Sequence, residues 1–219
     1  MKNKFAEFIN KESQKPYFKG LIASIEKEKS KFNVFPSDER IFECLKYSSP
    51  EKLKLIIIGQ DPYYKNGYAD GLAFSTESQK CPKSLENILI ELKKDYPEAV
   101  IETFSLKSWA KNHILLLNGV LTVSENKPNS HSNFGWKIFV SNLLDFILEQ
   151  NKNVIFGAWG NKAYLLIKDK VEEERIIFTS HPSPLSYSKT KSSFKDSHFF
   201  KKVNAKLTNP IDFSIRKEN

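Results

Sequence analysis

Four short apolar runs constrain this chain more than any other feature: LKLIIIG (53–59), ILLLN (114–118), NVIFG (153–157) and RIIFTS (175–180). Each is built mainly from Ile, Leu, Val and Phe and is bounded by polar or turn residues. Runs so short and so uniformly apolar read as strands buried on both faces, the pattern of a parallel sheet. Parallel strands need long crossovers, and the intervening segments supply them with helical spacing over 85–96 (after Ser84), 106–112 (after Ser105), 136–150 and 161–168. The alternation predicts an α/β fold, a central four-stranded parallel sheet flanked by helices on both faces.

The first fifty residues read as a helical segment, with helices over 5–12, 17–32 and 37–47, the last opening just after Pro36. The final residues, SIRKEN (214–219), read as a short flexible tail. No repeat or linker divides the chain, and 219 residues with 40% hydrophobic content and 17 Phe suit one domain over 1–219 with a substantial core. Cys44 and Cys81 lie far apart without a CxxC or Cys/His cluster, so the sequence signals neither a disulfide framework nor a zinc site. No run approaches the roughly 20 apolar residues of a membrane helix, and MKNKFAEFINKE lacks the apolar stretch of a secretion signal. The expected location is a reducing, cytoplasmic compartment, nuclear or mitochondrial only if the source is eukaryotic, with no membrane partner.

The net charge is +8, yet of 34 basic residues only Arg40, Arg175 and Arg216 are arginines. Bidentate reading of guanine edges is therefore poorly served, whereas lysines suit phosphates. A basic surface kept for solubility explains the charge equally well.

Two segments break the short-loop rule. Residues 60–83 carry Pro62, Gly67, Gly71 and Pro82 with Tyr63, Tyr64, Tyr68 and Phe74, and residues 180–196 are rich in Ser, Pro and Lys. Loops of this length with aromatic content read as ordered walls of a site. In an open parallel sheet ligands bind beyond the carboxyl ends of the strands, and there the sequence puts Asp61, Asn118 and His181. Each alone has a plain structural explanation as a turn starter, a strand cap or a packed imidazole. Their convergence at one sheet edge is what marks a site.

The motifs GQDPYY (59–64), GLAFS (71–75), SLENI (84–88), LLLNGVLTV (115–123), NSHSNFGW (129–136) and HPSPLSYS (181–188) occur in this order. Together they resemble the family-1 uracil-DNA glycosylases. The similarity extends from KPYF (15–18) and VFP (34–36) to PIDF (210–213). It implies that family's fold and its DNA-repair reaction: uracil is flipped out of DNA, its N-glycosidic bond is hydrolysed, and an abasic site remains.

The resemblance assigns roles that the chemistry supports. Departure of uracil leaves positive charge on the sugar and negative charge on the base. Asp61 would stabilise the sugar and orient water, and a neutral His181 would donate to uracil O2. The Asn118 amide complements uracil N3–H and O4. Cytosine reverses both groups, which permits rejection by roughly four orders of magnitude. Gln60, Tyr63 and Phe74 complete the base contacts, with Tyr63 against C5 to exclude the thymine methyl and Phe74 stacked on the ring. Leu185 would act as an apolar wedge holding the helix open. Ser84, Ser183, Ser186, Asn161 and Tyr64 fall at phosphate-contacting positions, Ser84 also reading as a helix N-cap. Lys189, Lys191 and Lys195 could add non-specific attraction. The resemblance implies no cofactor and no metal, a monomer, and single- or double-stranded uracil-containing DNA as partner. It leaves room for a proteinaceous inhibitor.

The chain departs from the family pattern in places. Tyr64 stands where most members have His, Cys81-Pro82-Lys83-Ser84 shortens a proline-rich stretch, and Gly160-Asn161 replaces Gly-Ser. Either His198-Phe199 or Phe199-Phe200 matches the last His-Phe motif, so His198 receives no role. Two other classes remain open on the residues alone. One is a DNA-binding relative without catalysis, against which Asp61, Asn118 and His181 together argue. The other is a metal-dependent phosphoesterase, which lacks clustered carboxylates here.

Overall fold

The computed structural model describes residues 4–189 and 191–217. In chain order the helices and strands begin with α1 (Lys4–Ser13), α2 (Pro16–Lys29), β1 (Val34–Phe35), β2 (Leu55–Gly59), α3 (Lys83–Asp95) and α4 (Lys107–Lys111). They continue with β3 (Ile114–Asn118), β4 (Val123–Ser124), α5 (Trp136–Gln150), β5 (Ile155–Trp159), α6 (Asn161–Ile167), β6 (Ile176–Thr179) and α7 (Phe199–Ala205). Strands β2, β3, β5 and β6 form one parallel sheet in the order β3-β2-β5-β6. Successive strand side chains point to opposite faces, and every residue of β2, β3 and β5 is buried, so both faces of the sheet are covered. Helix α4 packs on β3, α6 on β5 and α7 on β6. The fold is the single α/β domain the alternation predicts.

Strand β5 runs two residues beyond the NVIFG run, through Ala158 and Trp159. Gly157 is needed there because a Cβ would come within 2.6 Å of the Phe199 ring of α7. Helix α7 lies outside the helical spacing read from the sequence. Its amino end is held from a distance, the Asp95 carboxylate accepting the N–H groups of Phe200 (3.0 Å) and Lys201 (3.2 Å) while pairing with His198 Nδ1 at 2.8 Å.

Segment 37–47 is a correction. Instead of one helix it forms two 3₁₀ turns, Asp38–Arg40 and Glu43–Leu45. Phe42 between them leaves helical geometry (φ −106°, ψ 22°), and its ring joins Phe18 and Phe139. Around it Phe5, Phe8, Phe18, Phe139 and Phe146 weld α1 and α2 to α5, with ring centroids 4.9–6.5 Å apart. Each such ring contributes about 1.5–3 kcal/mol on burial. The chain's end is a second correction. Ser214 and Ile215 are buried, and Ile215 bridges Ile101 and exchanges hydrogen bonds with Val100 and Glu102 (2.7 and 2.8 Å), so 214–217 is packed rather than frayed. Residues 218 and 219 lie outside the described residues.

Candidate active site

The register of the two central strands sets the floor of the site. Gly59, last residue of β2, pairs directly with Asn118, last residue of β3. A Cβ on residue 59 would lie 2.4 Å from Asn118 Oδ1 and 3.2 Å from the Phe74 ring, so only glycine lets the amide and the ring approach this edge. The crossing continues into the loops, where Gly119 N donates to Gly59 O and Val120 N to Gln60 O, both at 3.0 Å. Asn118 is buried, yet its amide finds no hydrogen-bond partner among the described residues. A buried amide in that state is matched by a ligand bearing one donor and one acceptor side by side.

Around this edge opens a cavity of about 380 Å³. It is lined by Gln60, Asp61, Tyr63, Tyr64, Phe74, Ser84, Asn118, His181, Ser183 and Leu185. Two expected site residues lie outside it. Asn161 opens α6, exposed, after Gly160, whose Cβ position is 3.1 Å from the His181 Cβ. Ser186 donates its hydroxyl to the His181 carbonyl at 3.0 Å and sits 3.2 Å from the Ser183 hydroxyl, which fixes the turn carrying both. Ser84 is the second residue of α3 rather than its cap, a position taken by Pro82.

His181 has a defined protonation pattern. The Ser183 backbone N–H donates to its Nδ1 at 3.1 Å, so the neutral ring carries its proton on Nε2. Burial, aided by the nearby Lys162 ammonium, pushes the imidazole down to about 4. At neutral pH it is an uncharged donor. Asp61 accepts the Asn129 backbone N–H on Oδ2 at 2.7 Å. Burial raises its carboxyl above the ordinary range, while the Asn129 N–H and Lys162 pull the other way. Lys162 also reaches Asn129 Oδ1 at 3.2 Å, steadying the residue that holds the carboxylate.

The loop walls are held by buried polar contacts. Phe74 adopts φ +65°, left-handed geometry that costs a non-glycine residue on the order of 1–3 kcal/mol. It stays there because Ala73 N donates to Leu116 O (3.1 Å), Ser75 N to Leu72 O (3.3 Å) and the Tyr63 hydroxyl to Phe74 O (3.0 Å). Behind it the Asp70 carboxylate accepts Leu72 N–H and the Ser75 hydroxyl, and Ser75 Oγ accepts Leu106 N–H. The Phe74 ring rests against Trp159 (5.0 Å) and His181 (5.6 Å), so the aromatic face and the imidazole adjoin. Burial keeps the Tyr63 phenol protonated, as a donor to that carbonyl.

Residues 127–134 are anchored by a directed chain that the residue-by-residue reading missed. The Trp136 indole N–H donates to Thr122 Oγ1 (2.8 Å), which meets His131 Nδ1 (2.8 Å); His131 Nε2 meets Ser124 Oγ (2.9 Å), which donates to Glu28 (3.1 Å). An indole only donates and a carboxylate only accepts, so the chain has one polarity with His131 neutral. Burial pushes His131 down to about 4.

In the 180–196 loop, of which residue 190 lies outside the described residues, the described stretches are held by hydrogen bonds. Ser180 Oγ donates to Ser186 O (2.8 Å) and accepts Phe194 N–H (2.9 Å), and the Asn87 amide donates to Pro182 O (2.7 Å). From this braced turn Leu185 projects 81% exposed, an apolar side chain held out at the cavity mouth. Among the described residues, no group of three or more His, Cys, Asp or Glu is placed to share a metal ion. No described helix is long and apolar enough to cross a membrane.

Comparison with known proteins converges on one family. The model of the uracil DNA glycosylase superfamily matches residues 45–208. The uracil-DNA glycosylase of Mesomycoplasma hyopneumoniae (strain 7448) is 43% identical over 201 residues, 91% of this chain and 90% of the relative. That of Bacillus subtilis (strain 168) is 37% identical over 215 residues, 95% and 94% of the two chains. Among solved structures, mimivirus uracil-DNA glycosylase superposes with a TM-score of 0.89 at 28% identity, covering 98% of this chain and 87% of its own. A variant of the mimivirus enzyme solved in complex with UGI superposes with a TM-score of 0.87, again at 28% identity, over 98% and 89% of the chains.

Proposed function

This chain belongs to the uracil-DNA glycosylase superfamily and is a DNA-repair glycosylase that excises uracil, and we propose that Asp61, Asn118 and His181 carry the reaction in the cavity at the strand ends. The observation that carries this assignment is the Gly59–Asn118 register, which sets an unpartnered amide beside the loop of Asp61 and across from His181.

The proposed sequence of events follows from charge. Uracil enters between the Phe74 ring and the Asn118 amide, which accepts from N3–H and donates to O4. Tyr63, fixed by its bond to the Phe74 carbonyl, leaves no room at C5 for a methyl. As the glycosidic bond breaks, its electron pair leaves with the base, and the His181 Nε2–H meets the charge on O2. An imidazole denied its second proton suits this task, because a cation there would oppose the positive sugar that Asp61 stabilises. Water directed by Asp61 adds to the sugar carbon and yields free uracil and an abasic site. Gln60 borders the base, Leu185 fills the gap left in the helix, and Ser84, Ser183, Ser186, Asn161 and Tyr64 line the strand's path.

The protein acts as a monomer on single- or double-stranded uracil-containing DNA, in the cytoplasm. A proteinaceous inhibitor bound over the cavity mouth fits the relation to the mimivirus enzyme solved with UGI. The test is direct: uracil-containing and matched thymine-containing oligonucleotides are incubated with the protein in excess EDTA. Free uracil from the first substrate only is the expected result. No released base, or release that the chelator abolishes, would overturn the reading.

A further inference from the structure

Next to the cavity lies a second hollow of about 320 Å³, lined by Tyr63, Tyr64, Lys65, Tyr68, Cys81 and Lys83. It shares Tyr63, Tyr64, Pro82 and Lys83 with the uracil cavity, so the Tyr63 ring is a common wall between the two. Tyr68 stands edge-on to Tyr63, centroids 6.2 Å apart at 72°, and Tyr64 is 37% exposed. Lys65 is exposed and forms no ion pair among the described residues. The lining holds three phenol rings and two ammonium groups, that of Lys83 paired with Glu86 at 2.7 Å and that of Lys65 facing no carboxylate among the described residues. Its volume falls at the lower end of the roughly 300–1,000 Å³ of small-ligand sites. Aromatic faces flanked by lysines are the chemistry that holds single-stranded nucleic acid, bases on rings and phosphates on cations.

We propose that this hollow is a second nucleobase subsite, which takes the base of the nucleotide adjoining the excised uracil on the same strand. That base stacks against Tyr68 and Tyr64, and its phosphate faces Lys65. The proposal rests on the reading of the first cavity as the uracil pocket, because the shared wall is what makes the occupants neighbours in one strand. The subsite adds binding and leaves the bond-breaking step untouched, so it acts on KM and not on kcat.

The experiment uses single-stranded oligonucleotides with one uracil in which the nucleotide on the 5′ side, on the 3′ side, or neither is replaced by a tetrahydrofuran spacer that lacks a base. Steady-state constants are measured for the wild-type protein, Tyr68→Phe and Tyr68→Leu. For the wild type and Tyr68→Phe, one of the two spacers should raise KM by about tenfold, the scale of one base–aromatic stack, with kcat unchanged. Tyr68→Leu should show a raised KM on the intact strand and a smaller response to the spacer, the part left to Tyr64. Wild-type constants indifferent to both spacers would overturn the proposal and leave the hollow to a protein partner, as would a Tyr68→Leu protein that responds to the missing base as fully as the wild type. The wild-type comparison decides the matter even if Tyr68→Leu fails to fold. Failure of the uracil-pocket reading looks different, since no substrate would then release uracil.

Discussion

The amino-terminal corner and the loop-built cavity are held by opposite means. In the corner, Phe8, Phe18, Phe42 and Phe139 pack ring on ring among three helices and two tight turns, and the binding force is apolar burial. The cavity collects what burial disfavours: a carboxyl pushed upward, an imidazole stripped of its charge, a phenylalanine in left-handed geometry and a leucine held in solvent. The difference teaches that one region supplies the stability the other spends. Lesions in the corner should move the melting point and spare the chemistry, whereas lesions in the cavity should do the reverse.

The largest expected effect tests the first half. Phe139→Ala should cost about 3–5 kcal/mol of stability, a drop of roughly 6–20 °C in Tm for a chain of this size, with kcat unchanged at temperatures where the variant is folded. Calorimetry alongside an excision assay checks it, and a large kcat loss in the folded variant would break the contrast. Asp61→Asn tests the second half. It should lower kcat by on the order of 10²–10³-fold, the scale of removing one preorganised charge-stabilising group, while DNA affinity changes little and Tm holds or rises because a buried charge has gone. Equal turnover would end the assignment. Leu185→Ala should lower kcat/KM on duplex by about tenfold, the value of one small apolar contact, and spare single strands. Tyr63→Ala should admit slow thymine release, read as free thymine from a matched oligonucleotide, and a variant still blind to thymine would show that another group guards C5.

Acid exposes the contrast most gently. His131 and His181 are both held down to about 4, against an ordinary value near 6.5, so between those pH values the unfolded chain binds protons that the folded one refuses. Their contribution to stability is complete above about pH 6.5 and is lost as pH falls toward 4. Tm measured across this window should decline with falling pH, and replacing His131 with Gln should flatten part of the slope. Excision should decline only at the acid end of this window, near pH 4, where His181 of the folded protein becomes a cation.

Much of this was legible in the sequence because it rests on local pattern. Unbroken apolar letters marked β2, β3 and β6, and helical spacing placed Trp136–Gln150 to the residue. The strand ends then named Asp61, Asn118 and His181. What escaped depends on partners far away in the chain. The second amide of helix α7, that of Phe200, is accepted by Asp95, 105 positions earlier, and its cap position is held by His198 and not by a capping residue. Segment 37–47 has helical spacing, but the pull of Phe42 toward Phe139 breaks it into turns. The pairing of Asn129 with Asp61 spans 68 positions and uses a backbone N–H, which leaves no mark in side-chain letters. Only the NSHSNFGW resemblance pointed toward that stretch.

The missing side chain at position 59 has a consequence for anyone wishing to retune this scaffold toward another pyrimidine. An added methyl group would lie 2.4 Å from the Asn118 oxygen and 3.1–3.2 Å from Ala73 and Phe74, so while Asn118 stays in place position 59 is closed to redesign and the readout has a single adjustable element, the amide itself. A library that varies Asn118 and leaves its glycine neighbour alone explores new preferences, while one that varies position 59 and keeps Asn118 will mostly sample displaced amides.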